Sequence, residues 1–182
     1  MPYNTSEFNQ HFPSIAAHLG PTGIETFARI LVPTKATAGD MLISCGTKSD
    51  TLYLIWQGLL AISIEADSKN LLLGEVRNGS WVGEITMIEP GLATTTAIAK
   101  EDSTLLALSH DALARLRTDH PKVAGSLLKV LSLDLASRLR SSRQFLIKIS
   151  EDQYFVESTG DKKEDRLAAL GRTLMGLSQE KV

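Results

Sequence analysis

The chain has 182 residues, 43% of them hydrophobic and 22% charged, enough apolar material for one packed domain and too much for global disorder. Its 19 Lys and Arg against 21 Asp and Glu leave a net charge of -2, without the basic excess usual for a nucleic-acid binder. A single cysteine, Cys45, excludes an internal disulfide and a dithiol redox pair, and is expected as a small buried hydrophobe. The polar stretch 1–10 carries no signal pattern, and no run approaches the ~20 apolar residues that span a membrane. A soluble, cytoplasmic protein with no membrane partner is expected.

Residues 1–32 read as two helical pieces. Phe8, Phe12, Ile15 and Leu19 recur at spacings of three and four, Gly20-Pro21 interrupts them, and Ile24, Phe27, Ala28 and Leu31 resume the pattern before Pro33. Residues 33–120 change texture. Short apolar runs at 41–44, 51–56, 59–64, 71–76, 94–99 and 104–108 alternate with Gly, Asp, Asn and Ser clusters, as in a sandwich or barrel. A short helix is expected over 111–118.

Residues 121–149 predict one long helix, with Pro121 at a position where its missing N–H costs nothing. Leu128, Leu131, Leu135, Leu139, Ser142 and Leu146 form one apolar face; Val123, Leu127 and Val130 form a second near the start. A helix with two apolar sides must cover two surfaces, its own domain and a twin subunit, so a homodimer is expected. The tail, 150–182, is polar, with a possible short helix marked by Leu167, Leu170, Leu174 and Leu177. It is the expected contact for a protein partner.

Six segments then suggest a family. Ala38-Gly39-Asp40-Met41-Leu42 forms a glycine–acidic turn entering a strand; Gly46, Asp50, Leu52-Tyr53-Leu54-Ile55 and Gly58 follow; then come Trp81-Val82-Gly83-Glu84-Ile85-Thr86-Met87-Ile88, Ala93-Thr94-Thr95-Thr96-Ala97-Ile98-Ala99, Leu105 to Leu108, and Ala136-Ser137-Arg138-Leu139. In this order they resemble the cyclic-nucleotide-binding domain family, over roughly two-thirds of the chain. The resemblance implies a mainly β fold with flanking helices, a jelly-roll-like β-roll followed by a long C-terminal helix. It also implies a ligand, cyclic AMP or cyclic GMP, no other cofactor and no metal.

In the implied cassette, Val82, Gly83, Glu84 and Ile85 open a short helix whose free N–H groups face the cyclic phosphate. Gly83 allows close approach, Glu84 suits a ribose hydroxyl, and Ile85, Met87 and Ile88 are expected to anchor the turn. The family places a phosphate-pairing arginine ten residues after the glycine; here that residue is Ala93. Losing such a partner costs ~2–5 kcal/mol. Thr94 and Thr95 are the expected substitutes, with Thr94 and Thr96 on one strand face and Thr95 opposite. Ser142 and Arg143 fall near the positions that touch the base in dimeric bacterial members.

His11, His18, His110 and His120 lack the paired spacing of a metal site, and no nucleophile motif or P-loop is present. A non-catalytic regulatory module is therefore expected. Two readings stand side by side: a sensor that binds a cyclic nucleotide by a non-standard route, and a degenerate roll that acts as a dimeric adaptor. The stretch after Ser150 has few basic residues and one weak helix, so direct DNA reading is not expected.

Overall fold

A computed structural model describes residues 4–66 and 69–153, except the side chains of 66, 69, 70, 142 and 144–153. The expected short helix near Leu167 lies outside these residues.

Helices α1 (Thr5–His11) and α2 (Pro13–Ala28) open the fold. Asn4 and Glu7 cap α1 reciprocally, each side chain accepting the other's backbone N–H at 2.9 Å. Gly20 breaks α2 with a non-helical φ of 67°, directly before Pro21.

Among the described residues ten strands follow: β1 (Val32–Ala36), β2 (Met41–Ile43), β3 (Lys48–Ser49), β4 (Thr51–Gln57), β5 (Leu59–Ala66), β6 (Lys69–Arg77), β7 (Trp81–Val82), β8 (Gly91–Leu92), β9 (Thr96–Ala99) and β10 (Ser103–Ser109). Helix α3 (Glu84–Ile88) lies between β7 and β8; α4 (His110–Asp119) and α5 (Pro121–Gln153) close the described chain. One sheet has the order β1-β10-β4-β7, the other β2-β9-β5-β6, and β3-β8 forms a two-stranded ribbon. All pairings are antiparallel.

Strand β4 shows why its sequence is almost continuously apolar. Leu52 and Leu54 enter a core shared with Phe8, Phe12, Phe27, Leu113 and Leu127 from the helices. Ile55 points the other way, into a core between the sheets with Ile43, Leu60, Ile62, Val82 and Leu105. A strand buried on both faces needs apolar residues at both parities.

Helix α5 begins where His120 offers its carbonyl to the N–H groups of Val123 and Ala124. It packs on α2, α3 and α4. Its inward face is Ala124, Leu127, Val130 and Leu131, all buried. Leu131 thus joins Leu127 and Val130, instead of the face expected to run from Leu128 to Leu139. Leu133 and Leu139 are left 48% and 69% exposed.

Candidate functional site

Strand β7 pairs with β4 through Tyr53–Val82 and Leu54–Trp81, which carries the chain to Gly83 at the edge of the inter-sheet core. Gly83 has φ 90° and ψ 12°, a left-handed conformation that L side chains resist. A Cβ at this position would also collide with the Thr51 carbonyl oxygen. Glycine is therefore required twice over, by conformation and by space.

From Gly83 the chain turns into α3. Thr86 is buried and donates its hydroxyl to the Gly83 carbonyl at 3.2 Å. Helical geometry leaves the N–H groups of Ile85 and Thr86 without an intrahelical acceptor. Met87 anchors the turn at 1% exposure, whereas Ile85 and Ile88 stand 41% and 38% exposed. The expectation that all three anchor it is corrected: a five-residue helix buries few positions, and Glu84, Thr86 and Met87 occupy them.

The opposite wall is the approach to β9. Ala93 donates its N–H to the Thr47 carbonyl and accepts from the Gly46 N–H, both at 2.8 Å. Its backbone is pinned and its side chain is buried, so the position implied to hold an arginine holds a methyl group facing the cavity. Thr94 and Thr95 lie in a bend, and β9 starts only at Thr96. The strand alternation expected for these threonines therefore does not apply. Thr94 and Thr95 both line the cavity, while Thr96 Oγ1 accepts the Cys45 N–H at 3.0 Å. Cys45 is only half-buried, with Sγ 3.4 Å from the Thr94 carbonyl; it braces this bend instead of filling the core.

Ile43, Val82, Gly83, Glu84, Ile85, Thr86, Ala93, Thr94 and Thr95 enclose a cavity of about 30 Å³. Six of the eight residues expected at a ligand site are thus brought together. Arg143 is not among them; it is exposed on α5. The Ser142 side chain lies outside the described residues. Among the described side chains of α5, Arg138 contacts a residue of the site, Glu84; sequence reasoning placed it in a family motif but not in the pocket. Its Nη1 donates to Glu84 Oε1 at 3.0 Å, and its Nη2 lies 2.6 Å from Asp134 Oδ2. One signal pointed to it: Arg138 stands seven positions after the buried Leu131, two helical turns along the same face.

Glu84 is 5% exposed. Burial pushes its carboxyl above the ordinary value, the Arg138 charge pulls it back, and Asp134 adds to the rise. Desolvation is the larger effect, so the pair is an ion pair held against a burial penalty. Among the described residues no group of side chains could hold a metal ion, and no helix is long and apolar enough to cross a membrane.

Two antiparallel sheets, a glycine-opened turn over a small cavity and a long helix packed on that turn define a β-roll. Residues 33–120 match the family model described as the cyclic nucleotide-binding domain. It is similar to a CRP-like cAMP-activated global transcriptional regulator of Mycobacterium tuberculosis (strain CDC 1551 / Oshkosh), 28% identical over 127 residues, 69% of this chain and 55% of that protein. The chain thus spans about half the length of that relative. Among solved structures, the N-terminal domain of a transcriptional regulator from Streptomyces coelicolor A3(2) superposes with a TM-score of 0.61 at 25% identity, covering 81% of this chain and 94% of that one. A cyclic nucleotide-binding domain from Methylobacillus flagellatus KT gives 0.61 at 20% identity, covering 85% and 88%.

Proposed function

We propose that this chain is a non-catalytic, cytoplasmic regulatory module that binds cyclic AMP or cyclic GMP by a route in which Arg138 of α5 stands in for the missing strand arginine. The observation that carries this reading is the 3.0 Å contact between Arg138 and Glu84, which sets a guanidinium directly behind a carboxylate that lines the cavity. The cyclic phosphate would meet the N–H groups of Ile85 and Thr86, and its charge would draw Arg138 from Glu84. The released carboxylate would then accept a ribose hydroxyl, with Thr94 and Thr95 closing the other side. Because Arg138 belongs to α5, occupancy of the pocket would be felt by that helix. The exposed Leu133 and Leu139 on α5 support a homodimer as the element that reads the change.

A second reading has its own support: the burial of Ala93, and a Glu84 already satisfied by Arg138. In that reading the roll is a scaffold, α5 makes the dimer, and residues 150–182 recruit a protein partner. Calorimetry against cyclic AMP and cyclic GMP separates the two. Saturable heat that Glu84→Ala abolishes supports the sensor; silence with both nucleotides at millimolar concentration supports the scaffold. Neither reading includes direct DNA recognition, and retention on duplex DNA at physiological salt would overturn that.

A further inference from the structure

The cation that an anionic ligand needs here is already held by two carboxylates of the described residues. Arg138 lies 3.0 Å from Glu84 and 2.6 Å from Asp134, through different guanidinium nitrogens. Among the described residues, one positive charge between these two carboxylates sums formally to -1. The described residues that line the cavity contribute no Lys, Arg or His. A phosphate entering the cavity therefore meets a net negative neighbourhood, in a setting that screens charge poorly.

The two carboxylates play different parts. Glu84 lines the cavity and is nearly fully buried. Asp134 does not line it; its side chain is 30% exposed and sits one turn before Arg138 on the same helix. A partly exposed helix position needs no carboxylate for packing, and aspartate is a poor helix former. What the Asp134 carboxylate does is hold the guanidinium from within α5, through a nitrogen other than the one that meets Glu84.

Resting on the cyclic-nucleotide reading above, we propose that Asp134 is an internal competitor for the ligand's phosphate: it holds Arg138 to α5 and sets how tightly the site takes an anion. Asp134 touches no ligand in this account. It is a positioning residue that acts through Arg138. When a phosphate draws Arg138 from Glu84, the bond to Asp134 decides whether the guanidinium comes away alone or brings α5 with it. Affinity and helix response are thereby set by one side chain.

The test is calorimetry of the full chain against cyclic AMP and cyclic GMP, with four proteins compared: wild type, Asp134→Asn, Asp134→Glu and Glu75→Gln. Glu75 is a control of equal charge on the surface, 3.7 Å from the well-exposed Arg77. Asp134→Asn is expected to tighten binding roughly three- to thirtyfold, the span between an exposed and a charge-assisted contact. Asp134→Glu and Glu75→Gln are expected to stay within about twofold of wild type, since a tenfold change needs about 1.4 kcal/mol and neither removes that much. Binding by Asp134→Asn where wild type is silent also supports the proposal. Equal or weaker binding by Asp134→Asn than by wild type overturns it and leaves the cyclic-nucleotide reading standing. Equal tightening by Glu75→Gln overturns it too, because bulk charge would then be the cause. Silence in all four proteins overturns the cyclic-nucleotide reading, and the competitor role with it.

Discussion

Glu84 and Arg138 are 54 positions apart in the chain, yet their side chains meet at 3.0 Å in a nearly closed environment, with side-chain exposures of 6% and 11%. The contact ties the turn that opens the cavity to the helix that leaves the domain. Breaking a buried pair from one side strands the other charge, which is worse than never having had the pair.

Arg138→Ala is therefore expected to destabilise the fold by about 3–5 kcal/mol at neutral pH, measured by urea unfolding. Glu84→Gln combined with Arg138→Ala should recover much of that loss, because no buried charge is left alone. A double variant no more stable than Arg138→Ala would show that the lost packing of the arginine stem, not the stranded carboxylate, is the cause.

The pH dependence has a definite sign. Burial raises the Glu84 carboxyl above its ordinary 4.5, outweighing Arg138. The folded state thus favours the protonated form. Glu84's contribution to stability is fully present below the ordinary value and declines as pH rises through the raised one. Glu84→Gln stays neutral throughout. Its melting temperature relative to wild type should climb from pH 5 to pH 8, and parallel curves would refute the raised carboxyl.

Gly83 and Gly20 both adopt left-handed φ, at 90° and 67°. An added Cβ would strike the Thr51 carbonyl at Gly83 but meets nothing within 4 Å at Gly20. Gly20→Ala should cost only the conformational strain, about 1 kcal/mol. Gly83→Ala should cost at least about 2 kcal/mol more, since a backbone carbonyl cannot step aside as a side chain can. Equal losses by thermal melting would mean that β4 and the turn shift freely.

Ala93→Arg restores a cation to the cavity wall. Cyclic AMP affinity should rise by roughly thirtyfold or more, read by calorimetry. No gain would show that the phosphate, if bound, does not lie against the bend at residues 93–95.

Leu139 is 69% exposed on α5. In the proposed dimer Leu139→Glu should shift the sedimentation coefficient from dimer to monomer, with the monomer still folded. An unchanged coefficient would remove Leu139 from any subunit interface.

Much of the architecture was legible because it depends on near neighbours. The Gly20-Pro21 break, the β texture of residues 33–120 and the helical run after Pro121 are local patterns of period two or 3.6. The cassette was legible for the same reason: Gly83 and Glu84 form one contiguous turn, and Ala93 is placed by counting along it. Local spacing misassigned other residues. Ile85 and Ile88 looked like anchors, Cys45 like core, and Thr94 like a strand residue, because sequence does not say where a five-residue helix turns its face or where a strand begins.

Tertiary structure alone decided which residue of α5 meets Glu84. Each residue along α5 turns the side chain by about 100°, so choosing among Arg138, Ser142 and Arg143 requires the rotation at which the helix docks. That rotation is set by burying Ala124, Leu127, Val130 and Leu131 against α2, α3 and α4. Sequence supplied the carboxylate, the missing arginine and a helix carrying several candidates. Packing of the apolar face, a sum over many distant contacts, brought Arg138 to Glu84 and set Asp134 at its back.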